Sequence, residues 1–191
     1  MRRKTLDTVL AAGGGVLLVV LIGIGALAWW GYTYANSTVH SQLAAQKIFF
    51  PAKGSSELAS PKIAPYLDKY AGQQLVNGAQ AEAYANHFIA VHLQEIAGGK
   101  TYSQLSTASR SQPGNATLKA EVASVFQGTT LRGLLLEAYA FWMIGQVAFW
   151  VGIAAWLLAF LMLTLVVLGL LHARRVPAGE TVLRPTLAVA A

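Results

Sequence analysis

The chain has no cysteine. That absence removes disulfides, thiolate metal sites, c-type haem attachment, iron–sulfur ligation and a lipidated N-terminal cysteine. Charge is nearly as scarce: 12% of the 191 residues are Asp, Glu, Lys or Arg, against about a quarter in an ordinary soluble domain. With 55% apolar residues and a mean hydropathy of +0.49, an ordinary soluble domain is excluded and a membrane protein is expected. The net charge of +6 divides evenly along the chain, with Arg2, Arg3 and Lys4 against Asp7 at the start and Arg174, Arg175 and Arg184 against Glu180 at the end. No block is basic enough to read as a nucleic-acid surface, so nucleic acid is set aside as a partner. G-x-S-x-G, phosphate-loop, dinucleotide and H-E-x-x-H patterns are all missing, and no strand-like alternation persists.

Two long uncharged runs are present, Thr8 to Tyr34 and Ala138 to Leu171. The first is long enough to cross a hydrocarbon core of ~30 Å as a helix. Ala26-Leu27-Ala28 has the spacing of a signal-peptidase site, but the run exceeds the ~7–15 residues of a signal-peptide apolar region and Trp29-Trp30 follow, so a retained anchor is expected. The second run would be about 50 Å long as a helix, more than the bilayer needs. Its outer third is expected to project, the helix starting near Thr129 or Thr130 after a break at Gly128.

Arg2, Arg3 and Lys4 before one run, and Arg174 and Arg175 after the other, place both termini in the cytoplasm and the central segment outside. Trp29, Trp30, Tyr32 and Tyr34 on the first run and Phe141, Trp142, Phe149 and Trp150 on the second mark the outer interface. Among these, Trp29, Trp30, Tyr32, Trp142 and Trp150, with Arg174 and Arg175 inside, are the expected anchors. The expectation is an all-α protein of the cell membrane. Its parts are a basic cytoplasmic start (1–8), a first span (9–34), an extracytoplasmic helical domain (35–130), an outward extension of the second helix (131–147), a second span (148–172) and a cytoplasmic tail (173–191).

Neither run contains Asp, Glu, Lys, Arg or His, although a proton path, haem ligand or quinone site in a bilayer normally needs one. A non-catalytic protein with no cofactor or metal of its own is therefore expected. His172 reads as an interfacial polar residue. Gly145, Ala148, Gly152, Ala155 and Ala159 recur at intervals of three or four and form a small-residue stripe; Ala12, Gly15, Gly23 and Ala26 form a weaker one. Such stripes serve close packing, either of the two helices on each other or on a larger membrane protein, and Gly145, Ala148, Gly152, Ala155 and Ala159 are the residues expected to contact such a partner.

In the middle, helix is expected to continue from the first run until Pro51, followed by a loop from Lys53 to Pro65. A helix from Leu75 to Ala97 is expected to end at Gly98-Gly99. Thr101 with Gln104 forms a capping box, Ser111 to Asn115 a turn, and Leu118, Val122, Val125 and Phe126 a last amphipathic helix. The tail from Val176 to Ala191, with Pro177 and Pro185, reads as irregular. His87 and His92 are separated by about 140° around a helix, so joint metal ligation is not expected, and adding Glu82 or Glu95 would mix faces. His40 stands alone. The sequons at Asn36 and Asn115 carry no weight.

The stretch from Ala85-Asn86-His87 through His92-Leu93 resembles a family of actinobacterial membrane proteins with two spans and an extracytoplasmic helical domain. So do Gly98-Gly99-Lys100-Thr101-Tyr102, Gly128-Thr129-Thr130-Leu131-Arg132-Gly133-Leu134-Leu135, and the alanine-rich second span with its basic end. Some members are small accessory subunits, or associated factors, of the cytochrome bcc–aa3 respiratory supercomplex. The resemblance covers most of the chain. It implies a peripheral subunit supporting assembly or stability, whose partners, the cytochrome bcc and aa3 oxidase subunits, hold the haem and copper for menaquinol oxidation and oxygen reduction. Left open beside it is an extracytoplasmic ligand-sensing or envelope interaction protein anchored by two helices.

Overall fold

The computed structural model describes residues 2–177 and 179–182. Helix α1 (Arg3–Gln46) is followed by a 3-10 turn (Ser56–Leu58), α2 (Ala64–Leu67), a second 3-10 turn (Asp68–Tyr70), α3 (Gly78–Tyr84), a π-helical stretch (Ala85–Ile89), α4 (Ala90–Ala97), α5 (Tyr102–Ser111) and α6 (Ala116–Arg175). The described residues form no strand, only isolated bridges between Arg2 and Thr181 and between Phe49 and Gln74. Helices α1 and α6 are both long and apolar enough to cross a membrane. The chain divides into two compact units, one from the described parts of Met1–Gly31 and Val147–Ala191, the other from Tyr32–Gln146.

The second unit is built around Val39, Leu43, Phe50, Leu58, Ile63, Leu67, Leu75, Ile89 and Leu135, all nearly or fully buried. Helix α1 stops at Gln46, short of Pro51, and Lys47 takes a left-handed φ of 52°. Ile48-Phe49-Phe50, expected to be helical, is extended instead: Phe50 N–H donates to Gln73 O and Leu75 N–H to Ile48 O, each at 2.9 Å. The gain is burial, because this path inserts Phe50 beside the rings of Tyr70 and Tyr84. The loop after Pro51 is anchored through Leu58 and Ile63.

The helix expected from Leu75 begins at Gly78, where Asn77 Oδ1 accepts from Gln80 N–H at 2.9 Å. It passes through the π stretch and ends at Gly98, whose φ of 54° is left-handed. The Thr101–Gln104 capping box forms at the start of α5. Leu105 of α5 joins Ala97 and Val125 in a small second core.

Gly128 does not break the chain. Helix α6 starts at Ala116, with Asn115 Oδ1 accepting from Leu118 N–H, and runs unbroken through Gly128 and Thr129. A helical glycine costs only about 1 kcal/mol, and at Gly128 a Cβ would lie 2.5 Å from Leu93 Cδ2, so the missing side chain lets α4 approach. The described part of the tail folds back on α1: Arg3 N–H donates to Glu180 O, and their side chains pair at 3.3 Å. Pro185 and the remainder of the tail to Ala191 lie outside the described residues.

Candidate membrane and interaction site

In the first unit α1 and α6 meet through small residues. A Cβ at Gly14 would lie 2.8 Å from Val166 Cγ2, and one at Gly25 would lie 3.0 Å from the Trp156 indole. Gly152 lies against Ala28, Gly31 against Ala148 and Gly169 against Ala11 at ordinary contact distances. Ala155 and Ala159 are buried in this unit. In the second unit Gly145 continues the pattern, a Cβ there standing 2.8 Å from that of Ala35. The stripe Gly145, Ala148, Gly152, Ala155 and Ala159, expected to contact a partner, is instead turned toward the chain's own first helix.

The stripe read on the first run is not the one that packs. Ala12, Gly23 and Ala26 are exposed and Gly15 is half-buried, and a Cβ at Gly15 or Gly23 would meet nothing within 4 Å. The contact is made instead by Ala11, Gly14, Gly25 and Ala28. Both sets satisfy helical spacing, and only the shapes of Trp156 and Val166 opposite decide between them. A polar contact that charge counting passes over lies in the second unit, where Gln146 Nε2 donates to Asn36 Oδ1 at 3.5 Å and Asn36 Nδ2 donates to Tyr32 O at 3.1 Å.

Of the aromatic anchors, Trp29, Trp30 and Trp150 are well exposed, Trp29 touching Phe149 with ring centroids 6.3 Å apart. Tyr32 is half-buried. Trp142 differs from the expectation. It is half-buried against the core of the second unit, its Cβ 2.4 Å from where a Gly78 Cβ would be. Arg174 and Arg175 are exposed in the last turn of α6. Two residues before them, His172 Nε2 stands 3.8 Å from Asp7 Oδ2.

The polar residues of the second unit make a connected set. Arg132 on α6 donates to Asn86 Oδ1 at 2.8 Å, and Asn86 Nδ2 donates to Glu82 Oε1 at 2.8 Å. The chain of bonds links α6 to α3 and the π stretch through a half-buried arginine whose buried Nε has no hydrogen-bond partner. His87 is stacked face to face on Tyr66 with centroids 3.5 Å apart. His92 places Nδ1 2.8 Å from Phe88 O, an acceptor, which puts the imidazole proton on Nδ1. Among the described residues no three of His, Asp and Glu converge as a metal site. Burial pushes the Tyr84 phenol above its usual range. The exposed Glu57 carboxyl is held below its usual value, first by the backbone N–H that donates to it and then by Ser55. An apolar groove of about 460 Å³ lies between Val39 and Leu43 of α1 and Leu134 and Phe141 of α6, with Glu137 at its rim.

No protein-family model, no curated protein and no solved structure matches the chain.

Proposed function

We propose that the protein is a two-span, non-catalytic accessory subunit that docks on a larger membrane complex and supports its assembly or stability. On the resemblance stated above, that complex is the menaquinol-oxidising cytochrome bcc–aa3 assembly. Both termini are cytoplasmic in this reading, and the Tyr32–Gln146 unit lies on the outer side. The observation that carries it is the division of the small residues. The α6 stripe is used on α1, whereas Ala12, Gly23 and Ala26 are exposed, and Gly15 and Gly23 have open space where a side chain would be, so this set can admit a partner helix at close range. In lipid, where apolar side chains gain little by leaving the acyl chains, such close approach is a main source of helix association.

The test replaces Gly15 and Gly23 together with leucine in chain tagged at native level. The double variant is expected to lose co-purification of the large assembly in mild detergent while remaining folded. Undiminished co-purification would falsify this docking face. The alternative, a ligand-sensing or envelope interaction protein, is supported by the groove between α1 and α6 in the second unit. It predicts a rise in thermal midpoint when small apolar ligands are added to the full chain.

A further inference from the structure

Among the described residues, Asp7 is the one charged residue lining an apolar groove of about 510 Å³ in the first unit. Leu10 and Leu17 of α1 and Met162, Leu165 and Val166 of α6 form its walls, and Gly13 leaves it open because a Cβ there would meet nothing within 4 Å. The Asp7 side chain is only 17% exposed, its Oδ2 is buried without a hydrogen bond, and the 3.8 Å to His172 Nε2 is too long for one. A buried carboxylate oxygen with no donor is costly in any low-dielectric setting and calls for a cationic N–H or a hydroxyl. Lys4, one helical turn before Asp7, and Arg174, two residues after His172, are exposed and add positive charge at the same helix ends.

A ligand matched to these features has an acyl chain, a primary ammonium and, beside it, an anionic group. Phosphatidylethanolamine has all three. Phosphatidylcholine has no N–H to donate, and phosphatidylglycerol offers a hydroxyl but no cation to oppose the carboxylate charge. We propose that this groove binds one phosphatidylethanolamine, its ammonium donating to Asp7, its phosphate facing Lys4 and Arg174, and an acyl chain lying along the groove past Gly13. The proposal rests on the reading that α1 and α6 cross a bilayer, and is independent of which complex the protein joins.

The experiment reconstitutes the full chain into phosphatidylglycerol vesicles containing equal phosphatidylethanolamine and phosphatidylcholine. Co-flotation is scored first, then the lipids retained by native mass spectrometry. Retained phosphatidylethanolamine is expected to exceed phosphatidylcholine by about tenfold, the order of a charge-assisted hydrogen bond. The preference should fall to parity in Asp7→Asn, and Gly13→Leu, which fills the groove and leaves Asp7 in place, should lose the retained lipid. Protein that floats but holds both lipids equally overturns the site alone. Protein that does not float overturns the membrane reading and the site with it.

Discussion

Gly78 and Gly133 are both helical glycines, yet one has Trp142 where its side chain would be and the other has open space. Gly78→Ala is expected to lower the stability of the second unit by ~1–3 kcal/mol, because Trp142 Cβ and ring must shift together. Gly133→Ala should raise it by ~0.5–1 kcal/mol through helix propensity and a less flexible unfolded chain. Chemical unfolding of the full-length variants in detergent checks both, and shifts of the same sign would contradict the assigned packing. Tyr84 supplies a pH signature. Its burial disfavours the phenolate, so the folded pKa lies above tyrosine's usual ~10; stability is full below that value and is lost as pH rises through the folded one. The thermal midpoint should therefore drop more steeply above about pH 10 in the wild type than in Tyr84→Phe. None of this was readable from sequence spacing: Trp142 looks like an interface aromatic until Gly78 is brought beside it.

The long helices were legible because an uncharged run of bilayer length needs no tertiary information to be recognised. Local chemistry also sufficed for the Thr101–Gln104 capping box and for the Gly98 stop. Three features depended on distant neighbours. The end of α1 at Gln46 follows from Phe50 entering the core, the continuity of α6 through Gly128 follows from Leu93, and the phase of the α1 stripe follows from Trp156 and Val166. The link between Arg132 and Asn86 is another such feature, its ends 46 positions apart in the sequence. Arg132→Ala leaves Asn86 Oδ1 without its donor and is expected to cost ~1–3 kcal/mol. Arg132→Lys should not restore it fully, since an ammonium does not reproduce the planar fork of the guanidinium. Hydrogen exchange at residues 82–93 provides the readout: faster exchange in both variants is expected, and unchanged exchange would rule out the link as what ties α6 to α3 and the π stretch.

For the protein as a whole, the two small-residue faces of α1 separate self-association from docking. Leucine at Gly14 or Gly25 meets Val166 or Trp156 and should disturb the pairing of α1 with α6 inside the first unit, seen as a lower midpoint in detergent. Leucine at Gly15 and Gly23 meets open space and should leave that midpoint unchanged while weakening attachment to a partner. The small residues are recognisable in the sequence, but which of them pack on α6 is decided by the helix opposite. The most direct test is to extract the tagged, native-level chain in mild detergent and record its size, its visible spectrum and the proteins that accompany it. Haem a, b and c bands in a large assembly that contains the chain are expected, and a small colourless species that persists in gentler detergents would contradict the accessory-subunit reading.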